Sequence, residues 1–116
     1  MSTESVITID SNGKIKQLMA GEKPFILYFS SSNCNVCHAI LPKLINLVDD
    51  YPIKVARINI DEHAEIAGQF LIFTVPTILI MHKGKEIFRE SRFIDFQKVE
   101  KTLNLLSMTE RTGWSI

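Results

Sequence analysis

The fold is decided by residues 24–48, which read PFILYFSSSNCNVCHAILPKLINLV. Residues 24–29 are continuously apolar and β-prone, which is typical of a strand covered on both faces. The polar residues 30–33 then end this strand. After them, apolar side chains recur at intervals of three and one, as on one face of an amphipathic helix. These side chains are Cys37, Ile40, Leu41, Leu44, Ile45 and Val48. The stretch therefore predicts a strand that passes through a short turn into a helix.

Strand and helix patterns alternate on either side of this unit. The central helix is predicted to end at Asp49, Asp50 and Pro52. The other predicted elements are a strand at 6–9, a helix between Ser11 and Gly21, a strand at 53–60, a helix at 62–70, hairpin strands at 77–81 and 86–89, and a helix at 96–106. This alternation is typical of a parallel sheet with helices on both faces. We therefore expect an α/β fold whose central mixed sheet ends in an antiparallel edge hairpin.

The length of 116 residues suits one domain, because domains commonly contain roughly 100 to 150 residues. No repeat, low-complexity tract or linker divides the chain. We expect a single domain over residues 1–116, with its core at about 6–106 and a C-terminal tail at 107–116. The pattern does not place this tail, which contains Trp114. A terminal aromatic residue is expected to fold back onto its own core, so we expect a monomer.

Charge and cysteine usage narrow the classes of function. Thirteen basic residues balance thirteen acidic ones, so no summed positive field attracts nucleic acid or anionic lipid. No apolar run approaches the roughly 20 residues of a membrane span, and residues 1–5 lack the regions of a signal peptide. Two cysteines are too few for the disulfide framework of a small secreted protein. We therefore expect a cytoplasmic protein that binds neither nucleic acid nor membrane.

Cys34 and Cys37 differ in their predicted surroundings. The helical register places Cys37 on the apolar face, whereas Cys34 stands at the N-terminus of the helix. Unpaired N–H groups and the helix dipole favour a thiolate there, and such sites lower a cysteine pKa from about 8.5 to between roughly 3.5 and 7.5. We expect Cys34 to be the nucleophile. Cys37 lies nearly one turn away and is expected to resolve the mixed disulfide, with no cofactor.

Three other interpretations of this pair are weaker. Two cysteines at this spacing could be buried small side chains, but the strand–turn–helix setting favours redox chemistry. A zinc site needs two further ligands, and the three histidines are scattered without a second paired spacing. Residues 34–38 also match the C-x-x-C-H pattern of haem attachment, which belongs to exported proteins. We therefore expect neither a metal nor a haem.

Two prolines mark further positions. Pro42 lies inside the predicted helix, where it removes one backbone donor. It predicts a bend rather than an end, since the apolar spacing continues to Val48. Pro76 lies in the loop before the hairpin, and a tight turn is where a cis X-Pro bond occurs.

Together these features resemble the thioredoxin family over about residues 6–106. The resemblance rests on four features in order, which are the C-x-x-C that opens a helix, Pro42 five residues later, the strand end Asn59-Ile60-Asp61, and Val75-Pro76-Thr77 before the hairpin. It implies the thioredoxin fold and a thiol–disulfide oxidoreductase with a Cys-Asn-Val-Cys active site. It further implies disulfide-containing client proteins as substrates and thioredoxin reductase as an electron donor.

The resemblance also implies a client-binding surface. The Val75–Pro76 bond would be cis and would lie against the cysteine pair, where Pro76 would keep a metal away from the dithiol. The backbone of Val75 would pair with an extended segment of the client. The loop residues that would line the contact surface are Ser32, Asn33, Asn35 and Val36.

Several residues depart from the family pattern. Tyr28 stands where the family has a buried aspartate that exchanges a proton with the second cysteine, and a phenol of pKa near 10 does not accept that proton readily at neutral pH. Arg57 replaces a lysine that often accompanies this aspartate. Phe93 is matched to a glycine before the last helix, which makes the partner surface bulkier. Asn33 replaces a tryptophan, and Asn35-Val36 replaces Gly-Pro.

These departures predict that the protein reduces fewer substrates than a general thioredoxin, or reduces them more slowly. Without a carboxylate at position 28, the resolving step needs water, Asp61 or Glu62 to carry its proton. Two other functions stay open from the residues alone. One is a non-catalytic binding module that docks a partner through its loops. The other is a redox sensor that uses the same cysteine pair.

Overall fold

The computed structural model describes residues 6–51 and 53–112. Pro52 and Trp114, which entered the predictions above, lie outside these ranges. The elements follow the predicted order, and they are β1 Val6–Thr8, α1 Asn12–Ala20, β2 Phe25–Ser30, α2 Asn35–Val48, β3 Lys54–Asn59, α3 Ala64–Gln69, β4 Thr77–His82, β5 Lys85–Ser91 and α4 Phe96–Thr112. The predicted succession of strands and helices is confirmed.

The strands form one five-stranded mixed sheet in the order β1-β3-β2-β4-β5. Strand β3 pairs in parallel with β1 and with β2, whereas β4 pairs antiparallel with both β2 and β5. The predicted mixed sheet with an antiparallel edge hairpin is therefore confirmed. Strand β2 lies at its centre, and its first five residues are buried. This burial explains why the strand reads as an unbroken apolar run.

Side chains of β2 alternate between two cores because successive residues of a strand point to opposite faces. Ile26 and Tyr28 pack on the face that carries the buried residues of α2 and α4. Phe25, Leu27 and Phe29 pack on the other face, against buried side chains of α1 and α3. The two faces are thus covered by two helices each, and Tyr28 shares its core with Cys37.

Helix α4 runs to Thr112, six residues beyond the predicted end at Leu106. The apolar stripe that predicted this helix stops at Leu106, before its backbone does. Among the side chains of α4 that the structure describes, Val99 and Leu103 are fully buried. In the part of the chain that the structure describes, no helix is both long and apolar enough to cross a membrane.

The hairpin between β4 and β5 turns through Lys83 and Gly84, which have φ angles of 54° and 77°. Two successive positive φ angles are typical of the two-residue hairpin turns whose twist matches that of the strands. The resulting edge strand β5 is rich in charge, with Lys85, Glu86, Arg89 and Glu90 along its length.

A positive φ of 67° also occurs at Arg92, between β5 and α4. The resemblance had matched the family's glycine to Phe93, but the left-handed backbone that favours glycine is found one residue earlier. The N–H of Arg92 donates to the carbonyl of Pro76 at 2.8 Å, so this conformation joins the segment to the loop before β4.

Replacing Arg92 by glycine is expected to stabilise the protein by about 1 kcal/mol, because glycine adopts a positive φ without steric cost. Phe93→Gly is the matched control, since Phe93 is also exposed but lacks this φ. Denaturant unfolding measures both variants. A loss of stability in Arg92→Gly, or an equal gain in Phe93→Gly, would contradict the assignment.

Candidate active site

Cys34 and Cys37 are joined by a disulfide at the point where α2 begins, and their Cα atoms are 5.2 Å apart. Cys34 is the N-cap residue, with an extended backbone, and Cys37 lies in the first turn of the helix. Strand β2 ends four residues before Cys34, so the cysteines stand at the edge of the sheet. The strand–turn–helix setting predicted for the pair is confirmed.

The two sulfur atoms have different surroundings. The Cys37 side chain is 2% exposed and belongs to the core shared by α2 and α4, whereas Cys34 is half-buried and packs against the edge of that core. The N–H of Cys37 donates to Sγ of Cys34 at 3.1 Å. A donor in this position, added to the positive end of the helix dipole, favours negative charge on the Cys34 sulfur once the disulfide is opened.

The turn before Cys34 is held by the last residue of β3 and by a residue just after that strand. The side-chain amide of Asn59 donates to the hydroxyl oxygen of Ser32 at 3.0 Å, and Oδ2 of Asp61 accepts the N–H of Ser32 at 3.2 Å. Asp61 in turn donates its own N–H to the side-chain oxygen of Asn59. From the sequence, Asn59 entered only as part of a motif, and Asp61 entered also as a possible proton carrier. Their structural contribution is to fix the loop that presents Cys34.

Ser32 differs from the other residues predicted to line the contact surface. Its N–H and hydroxyl are both engaged in the hydrogen bonds with Asp61 and Asn59, although its side chain is exposed. Asn33, Asn35 and Val36 are also exposed, and Val36 keeps 53% of its surface accessible. The structure thus places all four around the cysteines at the surface.

The Val75–Pro76 bond is cis, as the resemblance implied. Val75 is half-buried and packs against the same core as Cys34. Phe29 near the end of β2 pairs with Thr77 at the start of β4, so the cysteine turn and this loop lie at the same end of the sheet. Thr77 fixes the loop, because its hydroxyl donates to the carbonyl of Thr74 at 2.7 Å. The buried Pro76 accepts the N–H of Arg92, which fixes the loop from its other side.

Tyr28 lies beneath the disulfide, and its hydroxyl donates to the carbonyl of Cys37 at 2.5 Å. Burial raises the pKa of Tyr28 to about 12, and the positive charge of Arg57 offsets only part of this increase. The phenol is therefore neutral and acts as a donor at physiological pH. It cannot take a proton from the Cys37 thiol, which agrees with the expectation from the sequence.

Arg57 and Pro42 occupy the positions predicted for them. Arg57 is the β3 partner of Tyr28 in the sheet register, and it is exposed. Pro42 is exposed inside α2, and the helix continues past it to Val48. Asp61 and Glu62, considered above as proton carriers, are exposed residues after β3.

Arg89 is a supporting residue that sequence reasoning missed. Its guanidinium donates to the carbonyls of Phe70 at 2.6 Å and Leu71 at 3.1 Å, and it forms an ion pair with Glu86 at 2.8 Å. Leu71 has a φ of 57°, so the chain turns sharply after α3. Arg89 thereby ties β5 to the start of the loop that carries Val75. Only the pair Glu86–Arg89 was visible in the sequence, and it gives no sign of contacts 18 and 19 residues away.

Known proteins resemble the chain in sequence and in structure. The thioredoxin family model matches residues 6–104. The thioredoxin-like protein YdfQ of Bacillus subtilis is 42% identical over 90 residues, which are 77% of this chain and 80% of that protein. Thioredoxin 1 of Thermosipho africanus is 32% identical, with a TM-score of 0.69, over 75% of this chain and 98% of that one. Oxidized thioredoxin O2 of Arabidopsis thaliana is 20% identical and shares the fold, with a TM-score of 0.77 over 90% of this chain and 96% of that one.

Tyr28 is expected to make the protein less stable at high pH. Its pKa is about 12 in the fold, and about 10 in an unfolded chain, so the unfolded chain loses the phenol proton first. The free energy of unfolding of the oxidised protein should therefore fall as the pH rises from about 10 to about 12. Tyr28→Phe should lose less stability over this window, as measured by denaturant unfolding.

Tyr51→Phe provides the matched control, because it leaves Tyr28 as the only phenol in the chain. Phenolate absorbance of this variant should then titrate well above the pH at which a free tyrosine ionises. Ionisation near pH 10 in the folded protein would contradict the assignment.

Proposed function

The chain belongs to the thioredoxin family of thiol–disulfide oxidoreductases, and from that premise we propose that Cys34 and Cys37 reduce disulfide bonds of a restricted set of client proteins. The observation that carries the proposal is the pair of unequal sulfur atoms at the start of α2. One sulfur is partly accessible and accepts a backbone N–H, while the other is buried within bonding distance.

The reaction takes place in two thiol–disulfide exchanges, each of which conserves atoms and electrons. The Cys34 thiolate attacks one sulfur of the client disulfide, which forms a mixed disulfide and releases the other client sulfur as a thiolate. Cys37 then loses its proton and attacks the Cys34 sulfur, which releases the second client thiolate and forms the disulfide seen here. The client gains two electrons and the protein loses two. Thioredoxin reductase would then supply two electrons to reduce the Cys34–Cys37 disulfide again.

The client would approach the face where the cysteine turn meets the Val75 loop. The backbone of Val75 would pair with an extended client segment, while Asn33, Asn35 and Val36 would contact the residues around the client cysteine. Both loops are held by hydrogen bonds to neighbouring elements, so little order has to be gained when a client binds.

The restricted range of clients is proposed from the environment of Cys37. Its deprotonation limits the second exchange, and Tyr28 offers a neutral hydroxyl instead of a base. A client would then stay attached to Cys34 for longer than in a protein with a carboxylate at that position. A slow second exchange favours the reduction of clients that bind the surface stably over clients that contact it only transiently.

We also propose the setting in which this activity operates. The chain would act as a single domain and a monomer, and it would work in the cytoplasm, where reduced thiols are maintained. There it would contribute electron transfer to client disulfides and thus to redox homeostasis. The balanced charge of the sequence supports a role in which neither nucleic acid nor membrane is a partner.

Replacing either cysteine should separate the two exchanges. Cys37→Ser is expected to accumulate mixed disulfides with clients, because Cys34 still attacks and nothing resolves the product. Cys34→Ser is the matched control and should form none, since the buried Cys37 is not reached. Non-reducing electrophoresis and mass spectrometry of the adducts measure both. Adducts on Cys34→Ser and none on Cys37→Ser would reverse the proposed roles.

Insulin reduction tests the restricted range. We expect turnover at least about tenfold slower than that of an authentic thioredoxin, because general-base assistance to a proton transfer is commonly worth more than this. The assay is run with dithiothreitol and again with NADPH and thioredoxin reductase. Turnover as fast as the authentic protein in both assays would remove the case for a specialised enzyme.

A further inference from the structure

Phe73 and Phe93 are the most exposed large apolar side chains that the structure describes, at 90% and 88% of their surface. Single exposed apolar residues are common on protein surfaces. These two, however, belong to the two segments that meet at Pro76. Phe73 lies two residues before Val75, and Phe93 directly follows Arg92, whose N–H donates to the Pro76 carbonyl.

The two segments reach Val75 from opposite faces of the sheet. Ile72, next to Phe73, packs against the core formed with α1 and α3. Ile94, next to Phe93, packs against the core formed with α2 and α4. Val75 contacts both cores, so it lies at the end of the sheet between them. Phe73 and Phe93 are thus carried by segments that lie on either side of Val75, and both rings are exposed there.

The backbone around each ring is anchored. On the Phe73 side, Arg89 holds the carbonyl of Leu71 and the Thr77 hydroxyl holds that of Thr74. On the other side, the N–H of Phe93 donates to Ser91 at 2.8 Å. Rings presented from fixed backbone lose little conformational freedom when a ligand covers them. The two exposed rings are thus carried by backbone that hydrogen bonds hold in place.

We propose that Phe73 and Phe93 select clients in which the disulfide cysteine has a bulky apolar neighbour in an extended segment. This inference rests on the proposed function, because it assumes that the client is attacked by Cys34 and runs along Val75. In this proposal a segment in that position passes between the two rings. An apolar neighbour would bury ring surface, whereas a charged one would lose water without gaining a partner.

The test compares two oxidised peptides of equal length and charge, with leucine or serine on either side of the disulfide cysteines. The measured quantity is the second-order rate constant with which each peptide oxidises the reduced protein. The unaltered chain should prefer the leucine peptide by about tenfold or more. Phe73→Ala and Phe93→Ala should each lower this preference several-fold, and the double variant should abolish it. Preferences unchanged in all three variants would overturn the proposal.

Two controls separate the possible failures. Ile87→Ala removes an exposed apolar side chain from β5 and should keep the full preference. Phe73→Leu and Phe93→Leu should give intermediate ratios, and they keep the test valid if an alanine variant folds poorly. Hydroxyethyl disulfide carries no peptide, so its reduction by the unaltered chain reports the dithiol alone. Failure there contradicts the proposed function, whereas success there with equal peptide rates contradicts only the selection by the two rings.

Discussion

The central strand β2 has buried side chains on both of its faces, and this constraint determines where the chemistry can occur. Because its residues alternate between two cores, Tyr28 has to face the core beneath α2. Because the strand ends at Ser30, the chain leaves the sheet just before α2 begins, and Cys34 becomes the residue at the junction. A shift of one residue in β2 would turn Tyr28 towards α1 and α3 and remove the support below Cys37.

Around this junction the protein builds a rigid site from elements that are distant in sequence. Asn59 at the end of β3 and Asp61 just after it hold the turn before Cys34, while Arg89 on β5 holds the start of the Val75 loop. None of these residues needs to touch a client. They limit the positions of the reactive sulfur and of the pairing backbone, and a fixed distance between those two groups is what an exchange with an extended chain requires.

Periodicity and residue type predicted the order of the elements and the unequal cysteines, because both are local properties of the chain. The hydrogen bond from Tyr28 to the Cys37 carbonyl was not predictable, since it depends on how α2 lies across β2. The contacts of Arg89 depend likewise on where β5 lies relative to the residues that follow α3. The resemblance matched a family glycine to Phe93, whereas the positive φ that favours glycine is at Arg92, and only the backbone angles reveal this.

The outer strands of the sheet have a consequence for self-association. Strand β1 has only three residues, and β5 carries charged side chains along its length. Short and charged edges discourage a second chain from adding its own strand, and so they protect against aggregation. With both edges guarded in this way, a strand added by a second copy of the chain would not become the start of a growing sheet.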